Sequence, residues 1–506
     1  MKDNREFRVA RSRTASGRRM LRRSPTAPAS VLSSPSHVGP MTSSRIVVRS
    51  VVILLGLLLA LPAFGAEVTR VLSSFDDEND QPFGFRIVPS FEQRQERGDI
   101  SREGACTDES GACPFFNSEL SSKRVTNTLN FDIGFGLYHD LEVRIGLPVV
   151  LSDRRTLTFA DGVSGENSTV APAPNRRGRF QGAGDDRVFN YSYFDVGTGN
   201  EGPNRAGLGD MSFGIAWGAF SQQRNDHLAN LVLAFDYTAP TGTVARGSNT
   251  GVGRGVHEMT FSAVASRQFS FFDPYFGLAY TLPLRDPSGL FEDRGINQQV
   301  KSPGQRVDLM AGAEMIMFEN RENGQRYTFQ FGLDFGYTAE GRDYNPLFDA
   351  LAASGCNGTR LSEVGLDRYD GRQYPPEGLD LSAVQRAHCA WIVQQMSNER
   401  PDGTFSHDGI TNVEGHAHVG GHFGFNLQFS DLIQLRIGTQ LETRTSHFLT
   451  GAYTGRSASS DDRVDLDPAA GERNPDYNPT LDAVGNRFRY NSIFNFGWNI
   501  GLAIRY

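Results

Sequence analysis

Glu414, His416, His418 and His422 all fall at even positions of one stretch, and an extended strand would put all four side chains on one face. Val419, Phe423, Phe425 and Leu427 occupy the opposite face. His416 and His418 would lie about 7 Å apart along such a strand, a spacing suited to sharing a borderline metal with Glu414 or a cross-strand acid. The competing reading is a polar lining with no metal, because the spacing matches no recognised metal signature. Charges alternate with apolar residues elsewhere too, at Arg86, Asp132, Glu142, Arg144, Asp236, Glu258, Asp308, Glu314, Asp334, Arg436, Glu442, Arg444 and Arg505. With Glu414 these make nine acids and five bases. On the inner wall of a barrel they would form a mildly cation-preferring conduit, since charge rings set selectivity. Alternatively they would form an ion-pair network that satisfies buried charge.

Covalent catalysis finds less support. Ser446 and His447 are neighbours in sequence, but adjacent strand residues point to opposite faces, and a nucleophile needs its His within hydrogen-bond reach. No G-x-S-x-G elbow is present. No enzyme and no cofactor are expected.

The elements that would position these side chains are strands. Phe494, Phe496, Trp498, Ile500, Leu502, Ile504 and Tyr506 alternate with small or polar residues, giving one greasy and one wet face. Trp498, Ile500, Leu502, Ile504 and Tyr506 resemble the carboxy-terminal assembly signal of bacterial outer-membrane barrels, which implies the barrel-assembly machinery as a partner. Two further stretches, Leu129–Leu137 and Leu141–Val149, alternate on either side of Tyr138-His-Asp140 and read as a hairpin. Similar strands are expected near 83–91, 207–219, 229–241, 256–269, 274–285, 304–318, 326–339, 412–429, 432–447 and 490–506, about twelve in all. Short connections (138–140, 220–228, 270–273, 319–325, 429–431) alternate with long ones (92–123, 154–206, 242–255, 286–303, 340–411, 448–489). Transmembrane barrels have short periplasmic turns and longer extracellular loops. The expected fold is therefore all-β: a transmembrane antiparallel up-and-down barrel over residues 83–506, with both termini periplasmic.

Composition agrees. A mean hydropathy of −0.39 is too polar for a bundle of membrane helices, whereas a barrel hides its apolar residues in alternation. The longest apolar run, Val51–Leu61, is too short to span as a helix. It follows Arg45 and Arg49 and precedes Ala63-Phe-Gly-Ala66, so residues 1–66 read as a leader with a cleaved signal peptide. Met41 is an alternative start, and residues 67–82 form a periplasmic segment with no plug domain expected ahead of the barrel. The leader holds eleven of the 50 basic residues and two of the 58 acidic ones, so the remainder carries about −17 and nucleic acid is excluded as a partner.

Four cysteines, Cys106 with Cys113 and Cys356 with Cys389, suit two local disulfides in an oxidising compartment. Within 340–411, Leu381, Val384, His388, Trp391, Ile392 and Gln395 recur at helical spacing, capped by Asp380 or Ser382. That helix reads either as a lid or as a stapled surface helix. The acidic run Asp461–Asp467 reads as a solvated loop, or as a cation-bridged contact with lipopolysaccharide.

The hairpin Gly136-Leu-Tyr-His-Asp-Leu-Glu-Val-Arg-Ile-Gly-Leu-Pro148 resembles the G-L-T-D-x-L-E-L-x-x-x-L-P hairpin of the meta-pathway phenol-degradation family of outer-membrane proteins. Gly207-Leu-Gly-Asp210 is similar to that family's G-x-G-D strand start, and Tyr237-Thr-Ala-Pro-Thr-Gly242 to its P-T-G strand end. The resemblance covers the first half of the barrel and implies a channel for hydrophobic or aromatic compounds. The cysteine pairs and the long 340–411 loop depart from the pattern. The expectation is an outer-membrane channel for passive passage of small solutes, set in lipid and lipopolysaccharide. The alternatives are a lipid-modifying enzyme and a structural or adhesive barrel that works through its loops.

Overall fold

A computed structural model describes residues 66–74, 83–104, 115–164, 168–170, 204–247, 249–286, 290–294, 297–352, 355–357, 404–406, 408–457, 464, 472, 474 and 475–506. Twelve strands form one closed antiparallel ring: β1 Phe85–Gly104, β2 Phe115–Tyr138, β3 Leu141–Phe159, β4 Met211–Phe220, β5 Asn230–Ala239, β6 Val256–Ser266, β7 Phe272–Arg285, β8 Arg306–Asn320, β9 Gln325–Thr338, β10 His416–Gln428, β11 Ile433–Arg444 and β12 Phe488–Arg505. Each pairs with its sequence neighbour, and β12 closes on β1, with Ile504 opposite Ile87 and Arg505 opposite Arg86. Closure leaves no open strand edge, which a bilayer requires. Backbone hydrogen bonds of 2.8 Å in both directions tie Tyr506 to Phe85 and extend the seam to the rim.

The side chains that face out are the ones water would reject. Phe213, Ile215 and Trp217 on β4, and Leu333, Phe335 and Tyr337 on β9, stand exposed on the outer wall. On β9 the band runs from Tyr327, which packs against Phe318 and Phe429, to Tyr337. Ten residues span about 33 Å along a strand, or about 25 Å of height at a tilt of about 40°, the thickness of a barrel's apolar band. Ile500, Leu502 and Ile504 of β12, and Tyr506 just past its end, belong to this outer face, and the Trp498 indole N–H donates to Gln93 Oε1 at 3.1 Å.

The short connections fall at one end. The first, between β2 and β3, is two residues long and places Asp140 at φ 50°, a left-handed conformation that Asp tolerates better than most residues. Two expectations need correction at the other end. Residues 92–104 and 115–123 are not loop: β1 and β2 stay paired as far as Gly104 opposite Phe115. Likewise β3 runs on to Phe159. Beyond the bilayer both faces of a strand meet water or other loops, so nothing there imposes apolar alternation.

Of the segment ahead of the barrel, residues 66–74 pack into the short-turn mouth, where Glu67–Thr69 form a single 3-10 turn. At the long-loop end, chain packs into a second apolar cluster. A buried helical turn, Phe348–Leu351, sits among Ile100, Leu120, Leu157, Leu449, Phe488 and Tyr490. The expected helix at 381–395, the Asp461–Asp467 run apart from Val464, and Cys106, Cys113 and Cys389 lie outside the described residues, and of Cys356 only the backbone is described.

Candidate functional site

The lumen is lined by the wet faces of all twelve strands, and its charges come in tiers. At the short-turn mouth the Glu67 carboxylate accepts from Arg436 and, at 3.1 Å, from Arg505; Arg70 stands 3.2 Å away. Burial pushes the Glu67 carboxyl up, but the guanidinium groups of Arg436, Arg70, Arg505 and Arg86 outweigh it and hold the group well below the usual carboxylate range. The Glu67 N–H donates to Glu314 at 2.9 Å, and Glu314 accepts from Arg326 at 3.0 Å. Glu142 accepts from Arg86 at 2.6 Å and from the Leu72 N–H at 3.0 Å. The entering segment is thus held to the wall by charge-assisted bonds to strand residues. Just beyond it, Asp132 and the Arg144–Asp236 pair (3.2 Å) border a cavity of about 270 Å³ with Arg86 and Arg436.

At mid-height a hydrogen-bonded chain crosses strands. The His422 ring bonds Asp334 through Nδ1 at 2.7 Å and the Tyr275 hydroxyl through Nε2 at 2.6 Å; Gln330 donates to the same hydroxyl at 3.0 Å. When Nδ1–H donates to the Asp334 carboxylate, Nε2 is left to accept from the Tyr275 hydroxyl, so this arrangement favours one tautomer of the neutral ring. Gly332 leaves room for it, since a Cβ there would stand 2.5 Å from the His422 ring.

The candidate metal set does not assemble. Glu414 lies beyond the end of β10, exposed, and accepts from the Phe448 N–H at 2.8 Å. His416 stacks on His447 with ring centroids 4.0 Å apart, while His418 lies 3.3 Å from Asp308, which also accepts from Arg306 at 2.8 Å. Among the described residues no three potential ligands meet. The hydrolase pair does not form either: His447 Nδ1 bonds the Thr445 carbonyl at 2.9 Å.

Above this tier the lumen widens into a chamber of two lobes, each about 500 Å³. Glu442 and Arg444 pair at 2.7 Å, and Arg444 reaches Glu96 at 3.4 Å. Arg254 bonds Glu258 and, at 2.8 Å, Asp343. Arg124 grips Asp153 with two bonds, of 2.8 and 2.9 Å. Arg94, Glu96, Arg155 and Arg254 fall in segments that read from sequence as loops, and Arg124 and Asp153 fall between those loops and the nearest strands that alternation marks. Tyr275 escaped notice although its signal was present, since Phe276, Leu278 and Leu284 face out and parity turns Tyr275 inward.

Two motifs that looked separate in sequence meet in space. The Asp210 carboxylate accepts the N–H of Gly242 at 2.9 Å and that of Arg254 at 2.8 Å. The Gly207–Asp210 stretch and the Thr241-Gly242 stretch are therefore two halves of one latch, which folds the 242–255 connection inward and carries Arg254 to the chamber.

No family model matches the sequence, and no curated protein matches it. Solved structures do. An outer-membrane channel from Pseudomonas putida F1 overlaps 84% of this chain and 96% of its own, at 10% identity and a TM-score of 0.38. A mutant of the TodX monoaromatic hydrocarbon channel overlaps 88% and 100%, at 9% identity and a TM-score of 0.28. The outer-membrane protease OmpT of Escherichia coli overlaps 87% and 100%, at 7% identity and a TM-score of 0.25. Overlap this loose extends to channels and a protease alike and does not choose between activities.

Proposed function

We propose that this barrel is an outer-membrane conduit for the passive passage of small solutes, closed at its periplasmic mouth in the state described. The observation that supports it most is the pairing of a polar, cavity-bearing lumen with a closure made of a short segment rather than of the wall. A structural barrel of this width can fill its interior with wall side chains alone. Here the wall leaves space at several heights, and the obstruction is a detachable strip. The Asp334–His422–Tyr275 chain, the Arg144–Asp236 pair and the tier around Arg444 serve as the polar lining of the path. The family resemblance suggests hydrophobic or aromatic solutes; the tiers of charge favour solutes that also carry a polar group. The test is planar-bilayer recording of the refolded mature chain, and of a variant in which residues 66–74 are replaced by a Gly/Ser linker. Discrete openings that become frequent in the linker variant support a gated conduit. A folded linker variant that stays silent across salts removes it.

A further inference from the structure

The two lobes of the upper chamber differ in charge. The lobe that reaches Asp308 and Asp334 is lined by six arginines and six carboxylates, whereas the lobe beside the 242–255 connection is lined by six arginines and four carboxylates. Two of that lobe's arginines, Arg155 and Arg205, keep a buried Nε with no hydrogen-bond partner among the described residues, and Arg155 is the more weakly paired of the two. In this second lobe Arg124, Arg155 and Arg205 share two acids, Asp153 and Asp349. Arg124 takes Asp153 with two hydrogen bonds, and Arg205 bonds Asp349. Arg155 reaches the same two carboxylates only at 3.6 and 3.8 Å, and its buried Nε has no hydrogen-bond partner among the described residues. A guanidinium presents five donors in a fork matched to a carboxylate, and an unsatisfied buried one is costly. An incoming anion would supply what the wall does not.

The surroundings select among anions. Arg94 also lines both lobes, keeps 57% of its side chain exposed and among the described residues pairs only with Glu92, at 3.3 Å, so it can swing onto a ligand. Tyr344 lines both lobes as well, with its ring 4.6 Å from Phe348 and its hydroxyl already bonded to the Ala245 carbonyl at 3.1 Å. Its ring therefore offers an apolar surface beside the cationic one. We infer that this second lobe is a binding site for a small organic carboxylate, its anionic group on Arg155 and Arg94 and its apolar body against Tyr344. The inference rests on the conduit reading and names the solute class that the conduit would concentrate in its chamber.

Equilibrium binding tests it without requiring conduction. The refolded mature chain in detergent is titrated calorimetrically with benzoate, with acetate, with inorganic phosphate and with benzylammonium. Saturable benzoate binding, tighter than acetate and phosphate and absent for benzylammonium, is expected. Arg155→Gln should weaken it at least tenfold and Arg155→Lys by less, while Tyr344→Leu should erase the advantage of benzoate over acetate. Should Arg155→Gln fail to fold, Arg94→Gln on the exposed side of the chamber carries the same test, with a loss of at least threefold expected. Benzoate binding that is absent, unchanged in the arginine variants or matched by benzylammonium overturns the site. A silent bilayer with intact benzoate binding would instead remove the conduit and leave the site standing.

Discussion

Replacing Glu67 by Gln keeps the size of the side chain and removes the charge that joins the entering segment to the wall. In the wild type this carboxylate is nearly buried and faces Arg436, Arg505 and Arg70, so its loss leaves at least two guanidinium groups on the wall without their acid. Breaking a buried pair from one side costs about 3–5 kcal/mol. Arg436 and Arg505 keep some contact with water and with Gln434, which at 2.6 Å still accepts from Arg505, so about 3 kcal/mol is a fair figure. That changes the closed-to-open ratio by about two orders of magnitude. Single-channel recording should therefore turn rare openings into frequent ones, with unitary conductance unchanged because the wall is the same. The pH dependence has a definite sign. A carboxyl held below its unfolded value stabilises closure above that value, near 4.5, and the stabilisation is lost only as pH falls through the lowered one. Wild-type openings should thus stay rare from about pH 8 to pH 5 and rise only under stronger acid, while E67Q shows no such rise. An E67Q channel as closed as the wild type would refute the idea that this strip is held electrostatically.

Three other outcomes follow from the same geometry. Asp210→Ala removes the acceptor of two backbone N–H groups, each charge-assisted bond being worth about 1.5–3 kcal/mol; hydrogen exchange at Gly242 and Arg254 should accelerate at least tenfold, with Asp210→Asn recovering part of the protection, and unchanged exchange would break the latch. Leu333→Arg places a charge on the lipid face near mid-membrane and should cost about 2–4 kcal/mol in urea unfolding from vesicles, whereas a neutral result would mean that this face does not meet lipid. Tyr275→Phe leaves His422 Nε2 without its hydroxyl partner and should lower stability by about 1 kcal/mol; the Asp334 contact at Nδ1 persists, so the His422 ring resonances should still report the Nδ1–H tautomer, and a switch of tautomer would refute the arrangement.

What was readable in the sequence was what the bilayer enforces. Leu333 must face lipid and Asp334 must not, so alternation revealed both, and the twelve strands with them. Above the membrane that constraint ends. Glu92, Arg94 and Glu96 continue the inward face of β1, yet Gln93, Gln95 and Arg97 on the outward face are equally polar, so the strand carries no periodic signal although its pairing is unbroken. The chamber's arginines were lost for that reason. The entering segment failed to announce itself for a different one: Glu67 acts through partners at positions 436 and 505, and no local pattern encodes a contact across the whole chain. Pairing within the wall was similarly hidden. Alternation puts His418 and His422 on the lumen face, but whether each meets a metal or an acid depends on register, which sets His418 opposite Gly336 and His422 opposite Gly332. Those glycines let the rings lean across toward Asp308 on β8 and Tyr275 on β7. A pattern that reads as a possible metal ladder along one strand is resolved by the small residues of its neighbour into separate His–acid pairs.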